Sequence, residues 1–552
     1  MKAERISSRD IPISLSHIYI GFTAVFLGAI FGILQGLVRG GIITLPSWIS
    51  YYEILTAHGV LLALVFTTYF IFGYFYAGNS RTMGPMTPSE RKIGWVGFWT
   101  MTLGTAMAAA MILTGQASVL YTFYLPLKAS PIFYIGLALF VVGSWIEGAA
   151  MFMQYFRWRK EHPGEKTPLF GFMVTATNIL WIIATIGVAI TVLFQMIPLS
   201  LGWIQTVNVE LSRTFFWYFG HPLVYFWLLP AYMIWYVNVP KLIGGKIFSD
   251  SLARLAFLLF IVFSMPVGFH HQLTEPGVQE GWKFLQVILT FMVVIPSLMT
   301  AFALFATFEQ AGQAKGAKGI FGWVKVLPWG DVRFLAAFLA MLFFIPGGIG
   351  GLINASYQLD SMVHNTLWVV GHFHITVGTP VGMTFFAATY WLLPYLTGRK
   401  LTPFMNRMGI LQTIFWSVGM LIMSIAMHTL GLEGAPRRTA FTTYNNNPVA
   451  QQWFEGFFGN YATLAVGGTI LFIGAMLMIY NVIHLSFFAP KSEEEEFPLG
   501  EENEEAMATP RFLENWKLWI TVSVVLILVA YTIPVVDLIV NSAPESIGYK
   551  TW

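Results

Sequence analysis

Thirteen long apolar stretches constrain this chain more than any other feature of it. They fall at roughly 16–38, 57–78, 94–115, 131–156, 171–195, 211–237, 252–272, 283–307, 334–354, 364–395, 407–430, 459–487 and 515–540. Each is long enough to cross a hydrocarbon core of about 30 Å. No water is present there to satisfy backbone groups, so helices are the expected spanning form. The expected fold is therefore all-α, a polytopic membrane helical bundle of about 13 transmembrane helices. Composition agrees: 56% of residues are hydrophobic and only 10% are charged, against about a quarter charged in soluble domains. A net charge of +3 gives no reason to expect a nucleic-acid partner. The chain has no cysteine, which excludes disulfides, thiolate nucleophiles and Cys-ligated metals within it. Aromatic residues are abundant, with 49 Phe, 22 Tyr and 20 Trp, as lipid-facing or cofactor-facing surfaces require.

Basic residues set the expected orientation. Lys2, Arg5 and Arg9 precede the first stretch, and Arg81, Arg91 and Lys92 follow the second. Arg157, Arg159, Lys160 and Lys166 follow the fourth, and Lys241, Lys246 and Arg254 the sixth. Lys315, Lys318 and Lys325 follow the eighth, and Arg399, Lys400 and Arg407 the tenth. These are alternate loops, so the N-terminus is expected inside and, with an odd span count, the C-terminus outside. The polar start MKAERISSRD runs straight into a full-length span and reads as no removable signal peptide. The chain is expected to form one membrane domain over 1–552, with residues 488–512, which include KSEEEEFPLGEENEEA, as an acidic cytoplasmic linker before the last helix. Composition alone makes that linker solvated and flexible.

Eleven histidines are present. His17, His162, His428 and His484 lie near span ends or in loops and read as structural or solvated. Of the rest, His58, His221, His270, His271, His372 and His374 all fall in the outer part of the membrane. At about 1.5 Å per residue they occupy a slab roughly 15 Å deep. A single intramembrane histidine is well explained by helix packing. Six in one slab, from four helices, point to function, and imidazole is a common ligand of copper and iron.

Within VVGHFHI, His372 and His374 are two residues apart, which on a helix separates them by about 200°. They point to opposite sides of one helix and can each hold a separate metal. Two flat cofactors flanking this span would fit, and His58 could complete a bis-histidine pair with one of them. His221 and Tyr225, in GHPLVYFWLLP, are four apart and share a helix face. His270 and His271 follow Pro266 and Gly268, which can loosen a helix end. Imidazoles from His221, His270 and His271 would make a three-coordinate site with an open position, suited to copper and a small gas ligand.

Together, GHPLVYFWLLPAY, PVGFHHQ, VHNTLWVVGHFH and APRR resemble subunit I of the haem–copper oxygen reductases, most of all the B family, the ba-type cytochrome c oxidases. The resemblance covers nearly the whole chain and includes a thirteenth span beyond the usual twelve. It implies that His58 and His374 are axial ligands of a low-spin haem b, and that His372 is the proximal ligand of a high-spin haem, a- or o-type. It implies one copper ion on His221, His270 and His271, with Tyr225 cross-linked to His221 and supplying an electron and a proton to oxygen. Arg437 and Arg438 would pair with haem propionates, and Asp360 and His364 would lie at those of the high-spin haem. For these four the plain alternative is interfacial charge.

Two departures bear on proton supply. Leu223 stands where A-family members carry glutamate, and no Asn/Asp cluster occupies the loop between spans two and three. A single proton-input path is expected. Tyr225, Tyr232 and Tyr236 fall within about 40° on one helix face and descend about 16 Å. Ser297 and Thr300 on span eight could continue the path, although plain helix–helix hydrogen bonding also explains such residues.

The implied function is reduction of O2 to water with electrons from cytochrome c, coupled to proton uptake and pumping across the cell membrane of a bacterium or archaeon. A subunit II with the electron-accepting copper site would be a partner, since this chain lacks the cysteines such a site needs. A quinol oxidase is the nearest alternative and a nitric oxide reductase a more distant one. A transporter with buried histidine relays would explain the spans but not six histidines at one depth.

Overall fold

The structure is a computed structural model and describes residues 5–439, 447–503, 508–541 and 545–551. Lys2 lies outside the described residues, as does part of the acidic segment, 504–507.

Each of the thirteen predicted spans contains a helix, and one of them stops short of its expected end. Among the described residues, eleven of the helices are long and apolar enough to cross a membrane: α1 (Ile11–Arg39), α2 (Tyr51–Thr82), α3 (Pro88–Leu113), α4 (Pro131–Glu161), α5 (Leu169–Leu201), α6 (Val209–Leu242), α8 (Glu280–Ala314), α9 (Val332–Ala355), α11 (Pro403–Leu432), α12 (Phe458–Phe488) and α13 (Trp516–Val540). The other two are α7 (Asp250–Ser264), which is short, and α10 (367–397), which is long but less apolar. α10 is the helix that carries His372 and His374. Those histidines, with the threonines, glycines and prolines around them, make it less apolar than the other long helices.

Local chemistry explains where helices begin and bend. Ser50 with Glu53, and Thr87 with Glu90, form reciprocal caps at the starts of α2 and α3, satisfying backbone N–H groups that have no helical partner. α6 keeps Pro222 and Pro230 within it, which the surrounding bundle makes tolerable. Widened π-helical turns occur at Val60–Phe66 in α2, Ile234–Asn238 in α6 and His374–Val381 in α10. Others lie at Val192–Met196 and His484–Phe488, so the feature is not confined to one region.

The span expected over 252–272 ends early. α7 stops at Ser264, and Phe269–His271 form a separate 3₁₀ turn. Pro266 has no N–H to continue the ladder, and the chain turns at Gly268. His270 and His271 are thus presented from a turn and not from a helix.

The basic loops meet at one end of the bundle, where they find carboxylates. Arg91 bonds Asp10 at 2.7 Å, Arg157 bonds Glu90 at 2.9 Å and Arg254 bonds Asp250 at 2.8 Å. Arg254 and Arg159 also share Glu514. The Arg254 side chain and the Lys166 ammonium beside it hold the Asp250 carboxyl below its usual range, against the effect of burial. The described stretch 488–503 of the acidic segment lies on this same face and is packed against it. Phe497 is 4% exposed and packs on Tyr74, Phe170, Trp391 and Tyr395. Asn238 donates to the Pro498 carbonyl, the Gly500 N–H donates to Val237, and Glu502 pairs with Lys166. Burial of one aromatic and three sets of polar contacts outweigh the charge repulsion that composition suggests. At the opposite end, two short strand pairs tie residues 546–550 to 127–128 and 206–207.

Candidate active site

The two histidines of VVGHFHI point apart, as their spacing predicts. His374 faces His58 of α2, with ring centres 6.2 Å apart and planes 14° from parallel. His372 lies against α9, where Cβ atoms added at Gly350 and Gly351 would come within 2.9 Å of its Nδ1 and 3.4 Å of its Cε1.

His58 and His374 border a large cavity whose walls are mainly apolar and include Arg39, Arg438, Met420 and Met427. His58 Nδ1 lies 2.8 Å from the Gly28 carbonyl, and His374 Nδ1 lies 2.8 Å from the Val370 carbonyl. A carbonyl only accepts, so both Nδ1 atoms carry the proton and both Nε2 atoms keep a free lone pair. Two metal–nitrogen bonds of about 2 Å, with roughly 1 Å from each ring nitrogen to its ring centre, account for the 6.2 Å separation. The pair fits one metal held between two imidazoles. Gly32 makes room for it: a Cβ there would sit 2.8 Å from His58 Nδ1 and Cε1.

Across α10, His221, His270 and His271 bring their ligand atoms within 4.8 Å of one another. Ring centres are 4.4 Å apart for His221 and His270, and 4.1 Å for His270 and His271. Nε2 of His221 and Nε2 of His271 are buried without a hydrogen-bond partner among the described residues. Buried nitrogens are seldom left so, and three converging imidazoles fit a copper ion. His271 is stacked on Trp217, ring centres 3.8 Å apart and planes 11° from parallel, which fixes its plane. Tyr225 lies one helical turn along α6 from His221, ring centres 5.0 Å apart.

Arginines lie at one end of this region. Arg438 is over the rings of Tyr121 and Tyr124, at 5.3 and 5.1 Å. Its Nε and Nη2 are buried with no partner among the described residues, which fits an anionic group in the cavity it borders. Burial raises Tyr121, but Arg438 and Arg437 outweigh it and hold the hydroxyl below its ordinary range. Tyr124, where burial prevails over the same arginines, is pushed up to about 12. Arg437 donates to Asn365 Oδ1 at 2.8 and 3.1 Å. Asp360 accepts from His364 Nδ1 at 2.9 Å, and His364 Nε2 is buried and unpartnered among the described residues. Burial raises the Asp360 carboxyl despite that hydrogen bond and the nearby Arg437.

On the other side of the bundle, Ser297 lies beside the Tyr232 hydroxyl and Thr300 beside that of Tyr236. Both hydroxyls of α8 donate to their own helix, to Val293 at 3.1 Å and Pro296 at 2.8 Å. The Tyr236 hydroxyl is buried without a close hydrogen-bond partner among the described residues.

The histidines read as structural or solvated are engaged locally. His17 is 0% exposed and pairs with Glu147 at 2.8 Å. His162 stacks on Trp158, and His428 lies against Gly371 and Trp368. Sequence reasoning missed Arg39, which donates to Tyr51 at 2.5 Å and borders the large cavity. An arginine ending an apolar span was its only signal. It also missed Tyr121 and Tyr124, loop residues that nothing in the sequence connects to Arg438.

A buried bis-imidazole cavity and a three-histidine cluster on either side of one helix mark a class of membrane protein with the ligands to hold metal on both sides of that helix. The family described as "Cytochrome C and Quinol oxidase polypeptide I" matches residues 12–470. Cytochrome c oxidase subunit 1 of Thermus thermophilus is 37% identical over 551 residues, covering 98% of this chain and 96% of that one. A cryo-EM structure of a heme-copper terminal oxidase dimer superposes with a TM-score of 0.92 at 37% identity, covering 99% and 96% of the two chains. A probable quinol oxidase subunit 1 of Staphylococcus epidermidis is 25% identical, covering 80% of this chain and 64% of that one. This chain belongs to the cytochrome c and quinol oxidase polypeptide I family, subunit I of the haem–copper terminal oxidases. Its likeness over the full length is to a cytochrome c oxidase subunit, and the quinol oxidases are distant. Membership implies haem and copper, a membrane setting and partner subunits.

Proposed function

We propose that this chain is the catalytic subunit of a proton-translocating, B-family cytochrome c oxidase. The observation that carries the reading is the three-histidine cluster with orphaned nitrogens beside Tyr225, on the far side of α10 from the His58–His374 cavity. His58 and His374 would hold a low-spin haem b, His372 a high-spin haem of a- or o-type, and His221, His270 and His271 one copper. When bound, these groups would relay electrons from the donor and provide the metal site at which O2 is reduced to water.

The chain's own residues do the rest. His58 and His374 are fixed as Nδ1–H tautomers and offer Nε2. Tyr225, at the three-histidine centre, gives up its hydroxyl proton and an electron, and a cross-link to His221 would keep it in place. Tyr232 with Ser297, and Tyr236 with Thr300, pass protons to it from the inner face. Arg437 and Arg438 neutralise haem carboxylates, with Asp360 and His364 beside them on the outward, proton-releasing side. Low polarity around the centre makes uncompensated charge costly and so keeps electron and proton delivery coupled. The N-terminus is cytoplasmic and the C-terminus outside, in a bacterial or archaeal cell membrane. Electrons come from cytochrome c through a copper-bearing subunit II. Tyr225→Phe keeps the ring and removes the proton. Turnover should fall at least about 100-fold with both haem spectra retained, and normal oxygen uptake by that variant contradicts the assignment.

A further inference from the structure

His270 and His271 sit on a 3₁₀ turn after the end of α7, so the hydrogen-bond ladder of α7 does not set their direction. Two residues of α8 supply that restraint. Gln286 is fully buried, and its Oε1 accepts from the backbone N–H groups of Gly268 and Phe269, each at 2.8 Å. Its Nε2 donates to the Ala530 carbonyl of α13 at 3.2 Å. One turn along α8, Thr290 Oγ1 lies 2.6 Å from the Gln286 carbonyl and 3.0 Å from His270 Nδ1. The hydroxyl has one proton, and a carbonyl can only accept. The proton therefore goes to Gln286, and the hydroxyl accepts from His270 Nδ1–H. That leaves the His270 lone pair on Nε2. From α13, Tyr531 packs on Phe269 with ring centres 5.2 Å apart. Its hydroxyl fills the space a side chain at 268 would need, 2.4 Å from an added Cβ.

We propose that Gln286 and Thr290, braced by α13, are positioning residues for the copper centre: they fix the direction of the 268–271 turn and the tautomer of His270. The proposal rests on copper being held by His221, His270 and His271. It also gives the thirteenth helix a task, as the outer support of the turn that presents two of the three ligands.

Thr290→Val keeps the shape of the side chain and removes the hydroxyl, Thr290→Ser restores it, and Gln286→Met removes both ends of the amide. The test uses the purified holoenzyme, reduced and carrying carbon monoxide. Copper at the centre is followed by the infrared stretch of carbon monoxide on copper(I), which reports only a copper with an open position. Bathocuproine disulfonate is added stepwise to extract it. The chelator concentration at half-loss should fall about 10- to 100-fold in Thr290→Val and Gln286→Met, the usual effect of removing a partner of a metal ligand. Thr290→Ser should stay close to the parent, and the low-spin haem spectrum, across α10, should not change in any variant. Thr290→Val and Gln286→Met that hold copper as firmly as the parent overturn the proposal and leave the copper site standing. A parent with no copper-bound carbonyl band removes the copper assignment itself, and the proposal with it.

Discussion

Replacing Gly32 by alanine sets two effects of opposite sign against each other. In the middle of α1, alanine is the better helix former by about 1 kcal/mol, so the haem-free bundle should gain stability. The new Cβ, however, would sit 2.8 Å from both Cε1 and Nδ1 of His58, about 1 Å inside ordinary carbon contact. The imidazole must retreat by a similar distance. Its 2.8 Å hydrogen bond to the Gly28 carbonyl then stretches beyond the useful limit of about 3.2 Å, and the tautomer is no longer fixed. Loss of such a partner typically weakens metal binding about 10- to 100-fold, or about 1.4 to 2.8 kcal/mol. The ligand effect therefore exceeds the helix gain. Gly32→Ala should lose low-spin haem, read as low-spin absorbance per mole of purified protein, without loss of the folded chain. Gly348→Ala is the control, since an added Cβ there meets nothing nearer than 4.0 Å. A Gly32→Ala protein with a full low-spin complement and an unshifted spectrum refutes the reasoning.

Three further outcomes are expected. Thr300→Ala should slow proton uptake about fivefold, the worth of one hydrogen-bonded link of roughly 1 kcal/mol in the barrier; time-resolved uptake with a pH-sensitive dye checks this, and an unchanged rate removes Thr300 from the path. Phe497→Ala should cost about 3–5 kcal/mol and release the acidic strap, so the thermal midpoint should drop and residues 489–503 become open to protease; an equally stable, equally resistant variant contradicts the packing argument. Because burial raises the Asp360 carboxyl, the folded chain binds that proton more tightly than the unfolded one, and this contribution is present at low pH and lost as pH rises from 3.8 through the raised value. Asp360→Asn should flatten that part of the curve of thermal midpoint against pH, and an identical slope in both proteins argues against it.

What was legible in the sequence follows from what the membrane forbids. Apolar length fixes the helices, because unpaired backbone cannot survive in lipid. Intramembrane histidines are conspicuous because they are costly there, and the two-residue offset of His372 and His374 already divides α10 into two faces. The rest depends on contacts between segments far apart in the chain. Gly32 and Gly350 look like any helical glycine until His58 and His372 are set against them. Thr290 reads as a membrane-helix threonine until α8 brings it 3.0 Å from His270. The 488–512 segment reads as a solvated acidic linker because its charge dominates its composition, while the seating of its described stretch depends on one aromatic, Phe497, and on the Asn238 side chain and Val237 carbonyl of α6, which composition does not reveal. The end of α7 at Ser264 was partly visible in Pro266 and Gly268, but a hydropathy pattern continues through both.

The central claim is that one helix separates two haem sites of different kind, one closed by two histidines and one open toward copper and O2. A reduced-minus-oxidised optical spectrum, recorded with and without carbon monoxide, tests it most directly. The account predicts two haem components, of which carbon monoxide shifts only one. A spectrum without haem bands, or one in which carbon monoxide shifts both components or neither, contradicts it.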